Sequence, residues 1–71
     1  MKLQQLRYLV AIVENGLNIS AASEILFTSQ PGVSKQIRLL EEELGLPLFI
    51  RKAKSLSALT DAGQKVFERA R

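Results

Sequence analysis

The chain contains no cysteine and no histidine. Disulfides and thiolate metal sites are therefore excluded, and a reducing cytoplasm suits the composition. The usual zinc ligands and the commonest general base are missing together. There is no glycine-rich phosphate loop, and the remaining Ser, Lys, Asp and Glu residues form no spaced pair suited to catalysis. We therefore expect no enzyme, no catalytic residue, no metal and no cofactor. Long apolar runs are absent as well. Met1 to Glu14 is amphipathic and does not read as a signal peptide. Nothing approaches the roughly 20 consecutive apolar residues that a membrane crossing needs, so no membrane partner is expected.

What is present suits one small helical domain. Seventy-one residues leave no room for a second core. An apolar fraction of 46% supports compaction and argues against disorder. The net charge of +3 is modest, but the charges are sorted along the chain. Lys35 and Arg38 stand in a stretch without acids, Glu41 to Glu43 follow, and Arg51, Lys52 and Lys54 form a second acid-free stretch. Two basic segments around an acidic one fit a polyanion partner better than a uniformly solvated surface. The three adjacent glutamates would point in different directions on a helix, so a solvated helix face is the expected role for them.

Residues 28–38 are the most informative stretch. Ser29 is a good N-cap, since its hydroxyl can accept from an orphan amide of the first turn. Pro31 follows inside that turn, where its missing amide hydrogen costs nothing. At 3.6 residues per turn, Gln30, Pro31, Ser34, Lys35 and Arg38 share one broad face. Val33, Ile37, Leu40 and Leu44 fall on the opposite side. A polar face with two cations and no acid, backed by an apolar face, reads as a recognition helix.

The surrounding sequence supplies the frame. A first helix is predicted over 3–15, with Leu6, Leu9, Val10 and Val13 on one face and Gly16 ending it. Asn18 or Ser20 can cap a second helix reaching about Phe27, and Ala21 and Ala22 permit a close crossing. A turn at Phe27 to Ser29 leads into the third helix, which stops at Gly45. Helix, short turn and basic amphipathic helix form a helix-turn-helix, placed at about 19–38. Leu48 to Arg51 and Leu56 to Leu59 can pair as short strands around a Lys52–Ser55 tip, giving a wing over about 48–59. Thr60 caps a fourth helix that meets no glycine or proline stop after Gly63. The fold class expected is mainly α: a winged helix-turn-helix with a three-helix core and a two-stranded wing over 1–59. Residues 60–71 are read as the start of a dimerisation or linker helix, cut off before its natural end.

These residues resemble the DNA-binding region of LysR-type transcriptional regulators. The matching segments are Leu6-Arg7-Tyr8-Leu9, Ala21-Ala22 with Leu26, Ser29-Gln30-Pro31 and Ser34-Lys35-Gln36-Ile37. Leu40-Glu41, Leu44-Gly45, Leu48-Phe49-Ile50-Arg51 and Leu59-Thr60-Asp61-Ala62-Gly63 continue the match in order and spacing across essentially the whole chain. The opening Met1 to Tyr8 and the run Thr28 to Gln36 look most like the subgroup that controls sulfur assimilation and cysteine biosynthesis. A wing one residue longer than the commonest family pattern agrees with that subgroup.

The resemblance implies sequence-specific binding of double-stranded promoter DNA in a bacterial cytoplasm. It places the third helix in the major groove. There Gln30 would face a base edge, with both donor and acceptor for adenine, or else serve as a water-satisfied first-turn residue. Pro31 would press on a thymine methyl or simply start the helix. Thr28, Ser29 and Ser34 would donate to phosphates or act as local caps, and Lys35 and Arg38 would contact the duplex. Arg51 matches the arginine held near the minor groove or its phosphates, and Lys54 would add a phosphate contact that positions the protein. Lys52 alone reads as a solvated tip residue. Leu48 and Phe49 read as core, Lys2 and Arg7 as surface charges, and Tyr8 as half-buried packing. Family members dimerise through the linker helix to read an interrupted palindrome, so a homo-oligomer is implied for the full-length protein, with RNA polymerase a further partner. The alternatives are a winged-helix regulator of another regulon and a helix-turn-helix used only to bind protein. The latter requires an exposed apolar patch on the third helix.

Overall fold

The computed structural model describes residues 1–52 and 55–71. Four helices and one antiparallel ribbon follow in the order α1 (Leu3–Glu14), α2 (Ile19–Ile25), α3 (Gln30–Leu44), β1 (Phe49–Lys52), β2 (Ser55–Leu59) and α4 (Asp61–Ala70). This is a mainly α winged helix-turn-helix.

The caps form where the sequence places them. The Asn18 side chain accepts from the Ala21 amide at 3.0 Å, which starts α2. Ser29 Oγ accepts from Gly32 N at 3.1 Å, with Pro31 in the first turn of α3. Gly45 ends α3 in the left-handed conformation (φ 70°) that glycine adopts without steric cost. Thr60 Oγ1 accepts from Gly63 N at 3.0 Å and donates to the Pro47 carbonyl at 2.7 Å. One threonine thus caps α4 and ties its start to the base of the wing.

Leu9, Ile12, Ala22, Val33, Ile37, Leu40, Leu48 and Phe49 form the buried core. The expected apolar face of α3 is confirmed by Val33, Ile37 and Leu40, with Leu44 packed against the cluster. The face of α1 differs from expectation. Gln5, Leu9 and Ile12 are its buried residues, whereas Leu6 and Val10 are only half-buried. Gln5 is tolerated inside because its side chain accepts from Lys2 N at 3.1 Å and donates to Gln36 Oε1 at 3.4 Å. Gln5, Leu9 and Ile12 thus share the inward side of α1. Tyr8 packs half-buried against the core.

Two other boundaries move. α2 ends at Ile25, two residues before the expected Phe27, because the chain turns through a left-handed residue there. Phe27 has φ 56° and is 96% exposed. The ribbon pairs Phe49 with Leu59, Ile50 with Ala58, Arg51 with Leu56 and Lys52 with Ser55. Lys52 and Ser55 are therefore ladder residues, and Leu48 lies just before the strand. Ser57 is the extra residue at the irregularity between Ile50 and Arg51. Its hydroxyl donates to the Ile50 carbonyl at 3.1 Å.

α4 packs on α1 and on the wing. Its Gly63 is required by close approach, since a Cβ there would lie 2.1 Å from the Leu48 carbonyl oxygen.

Candidate nucleic-acid interface

The first turn of α3 stands at the molecular surface, with Ser29, Gln30, Pro31, Lys35 and Arg38 exposed and Thr28 and Ser34 half-buried. The α3 residues among them occupy one side because the core holds Val33, Ile37 and Leu40 on the other. This first turn also presents the positive end of the helix dipole to an anion, although Pro31 has no N–H and Gly32 N already donates to Ser29 Oγ.

Local bonds fix how these groups are presented. Ser29 Oγ accepts from Gly32 N, and its proton remains able to donate outward. A Cβ on Gly32 would lie 3.1 Å from both Ser29 Oγ and Thr28 Oγ1, so the two hydroxyls flank this backbone position. Thr28 N donates to the Ser23 carbonyl at 3.0 Å, which anchors the turn to α2. Gln30 Nε2 donates to Ser20 Oγ at 2.6 Å, and its carbonyl oxygen takes no hydrogen bond among the described residues. Ser20, in the first turn of α2, is thus a support for Gln30 that sequence reasoning missed. The ten-residue separation hides it, and only the crossing of α2 and α3 brings the two together.

The wing stands beside this face. Ser34, Arg38 and Glu41 of α3, Ile19 of α2, and Arg51, Ser55 and Leu56 of the ribbon line a groove of about 440 Å³. Recognition-helix and wing cations thereby share one concave surface. A second groove of about 390 Å³ runs alongside, with Ser20 and Gln30 in its wall. Lys54 falls outside the described residues. Lys52 is exposed on β1.

Glu41 departs from the solvated role expected of it. Its side chain is only 12% exposed and forms a two-armed ion pair with Arg51, whose Nη2 lies 3.2 Å from Oε1 and Nη1 3.4 Å from Oε2. Oε2 also accepts from Leu48 N at 2.7 Å and from Phe49 N at 3.4 Å. The physical reason is its phase on the helix. Glu41 stands four residues after Ile37 and three before Leu44, on the rim of the buried side. That phase was the available signal. Glu42 and Glu43 are exposed as expected, and the Glu43 carboxylate takes the Met1 ammonium.

Among the described residues no cluster of acidic side chains could hold a metal ion. Among the described residues, likewise, no helix is long and apolar enough to cross a membrane. Chemically the site offers hydroxyl and guanidinium donors, an ammonium and an amide acceptor at the positive end of a helix. All suit reversible recognition of phosphates and base edges.

Known proteins share this arrangement. The family model for bacterial regulatory helix-turn-helix proteins of the LysR family matches residues 3–64. The transcriptional regulator CysB of Haemophilus influenzae is 54% identical over 71 residues, covering 100% of this chain and 22% of that protein. SsuR of Burkholderia cenocepacia, also a transcriptional regulator, is 46% identical over 68 residues, covering 96% of this chain and 22% of its own length. The chain thus spans about a fifth of the length of these relatives. Among solved structures, the DNA-binding domain of CbnR in complex with DNA matches with a TM-score of 0.88 and 38% identity, covering 99% of this chain and 78% of that one. The chain belongs to the LysR family of bacterial regulatory helix-turn-helix proteins, and its fold is that family's winged-helix DNA-binding domain.

Proposed function

We infer that this chain reads promoter DNA for a regulator of sulfur assimilation and cysteine biosynthesis genes. The observation that carries the regulon is the 54% identity to CysB across the entire chain, including the recognition helix. In this reading the start of α3 enters the major groove. Gln30 meets a base edge, Pro31 touches a thymine methyl, and Thr28, Ser29 and Ser34 donate to phosphates. Lys35 and Arg38 supply charge, Arg51 reaches the adjoining minor groove, and Lys54 adds a phosphate contact. Thr60–Arg71 begins the linker helix through which two full-length subunits pair, so that two domains read two halves of an interrupted palindrome. The regulator works in the cytoplasm and communicates with RNA polymerase there.

Fluorescence anisotropy on a cysteine-regulon promoter duplex and on a random duplex, at several salt concentrations, tests this. Preference for the promoter, together with a steep salt slope, supports the assignment. Equal affinity for both duplexes contradicts the regulon and leaves only general duplex binding.

A further inference from the structure

Four donors converge on the Glu41 carboxylate: the amides of Leu48 and Phe49 and both terminal nitrogens of Arg51. One α3 side chain therefore grips the wing at its base and at a charged residue on its first strand. The base does not depend on this grip, because Thr60 already bonds Pro47 O and Leu48 O through its hydroxyl and amide. The Arg51 side chain is 48% exposed, so although Glu41 is largely buried, the arginine's charge stays mostly hydrated and its arm of the pair adds modestly to folding. What the pair does achieve is orientation. Two hydrogen bonds to one carboxylate favour one pose of a long, many-rotamer side chain, in the groove that Ser34 and Arg38 also line.

We propose that Glu41 is a positioning residue for DNA binding that acts through Arg51. It holds the guanidinium at a set place beside the recognition helix, so that wing and helix meet adjoining grooves as one preset unit. Arg51 then reaches DNA without losing its rotamer freedom at the moment of binding. The proposal rests on the reading of Arg51 as a minor-groove contact.

A carboxylate near a polyanion has an opposite, simpler effect. If charge alone mattered, removing Glu41's would tighten binding to every duplex alike. Positioning instead makes its loss fall on the duplex where Arg51 contributes most, one with a narrow A·T tract beside the half-site. The sign and the sequence dependence separate the two.

The test measures anisotropy for Glu41→Gln, Arg51→Ala and the double variant, on two duplexes differing only in an A·T or a G·C flank. Glutamine keeps an acceptor for the Leu48 and Phe49 amides and removes the charge. Glu41→Gln is expected to lower the preference for the A·T flank by about five-fold, Arg51→Ala to abolish it, and the double variant to match Arg51→Ala. Tighter binding of Glu41→Gln to both duplexes, or an undiminished Glu41→Gln effect in the Arg51→Ala background, overturns the proposal. An Arg51→Ala variant with unchanged preference removes the minor-groove reading itself, a failure visible without any change at Glu41. If Glu41→Gln does not fold, the unsubstituted chain still decides. Slow rotation of the Arg51 guanidinium by nitrogen-detected NMR is expected without DNA, and free rotation overturns the proposal.

Discussion

Lys35 and Arg38 are exposed on the same side of α3, with no acid on that face nearer than Glu41, which Arg51 engages. On the proposed reading each neutralises phosphate without reading sequence, so Lys35→Ala and Arg38→Ala should weaken binding to all duplexes. Each should also reduce the slope of log affinity against log salt by about 1. Gln30 differs in kind, because its amide is oriented by Ser20 and its carbonyl oxygen takes no hydrogen bond among the described residues. Gln30→Ala should mainly reduce the preference between duplexes, and an equal loss on every sequence would exclude a base-reading role. Phe27 belongs to this scale too. A bulky residue at φ 56° carries a steric cost of about 1 kcal/mol, and one that is 96% exposed regains little by burial. Phe27→Asn should therefore raise the thermal midpoint, which circular dichroism reads directly.

At the scale of elements, the starts of α2, α3 and α4 and the stop of α3 were legible because each rests on local chemistry, whereas α2 stopped two residues early at the left-handed Phe27. Asn18, Ser29, Gly45 and Thr60 act within three or four residues of themselves. The α3 face was legible for the same reason, since Val33, Ile37 and Leu40 repeat at helical spacing. The α1 face was not. Leu6, Leu9, Val10, Ile12 and Val13 wrap around much of the helix, and which of them is buried is decided by packing with distant elements, where the buried Gln5 meets Gln36, 31 residues away. The link from Glu41 to Arg51 and that from Ser20 to Gln30 each span ten residues and lie across element junctions. Both were invisible to any local rule, although the helical phase of Glu41 marked it as partly buried. The junction of α4 with the wing offers the sharpest stability test. With a Cβ only 2.1 Å from the Leu48 carbonyl, Gly63→Ala should destabilise the fold by about 1–3 kcal/mol in denaturant melts, despite alanine's better helix propensity.

For the whole molecule, the core of α1, α2 and α3 and the base of the wing serve to hold one polar helix face and one basic ribbon on the same side. Apolar lining occurs elsewhere: a groove of about 380 Å³ between α1, the end of α3 and α4 is walled by Leu6, Leu44, Leu46 and Val66. The two surfaces therefore offer different chemistries to a partner, and the first is the one proposed to meet DNA. Amide chemical-shift mapping of the chain on titration with a promoter duplex tests that assignment most directly. Shifts are expected to concentrate at Thr28 to Arg38 and on the wing around Arg51, with the groove at Leu6, Leu44 and Val66 unchanged. Shifts centred on that apolar groove, with the first turn of α3 silent, would contradict it.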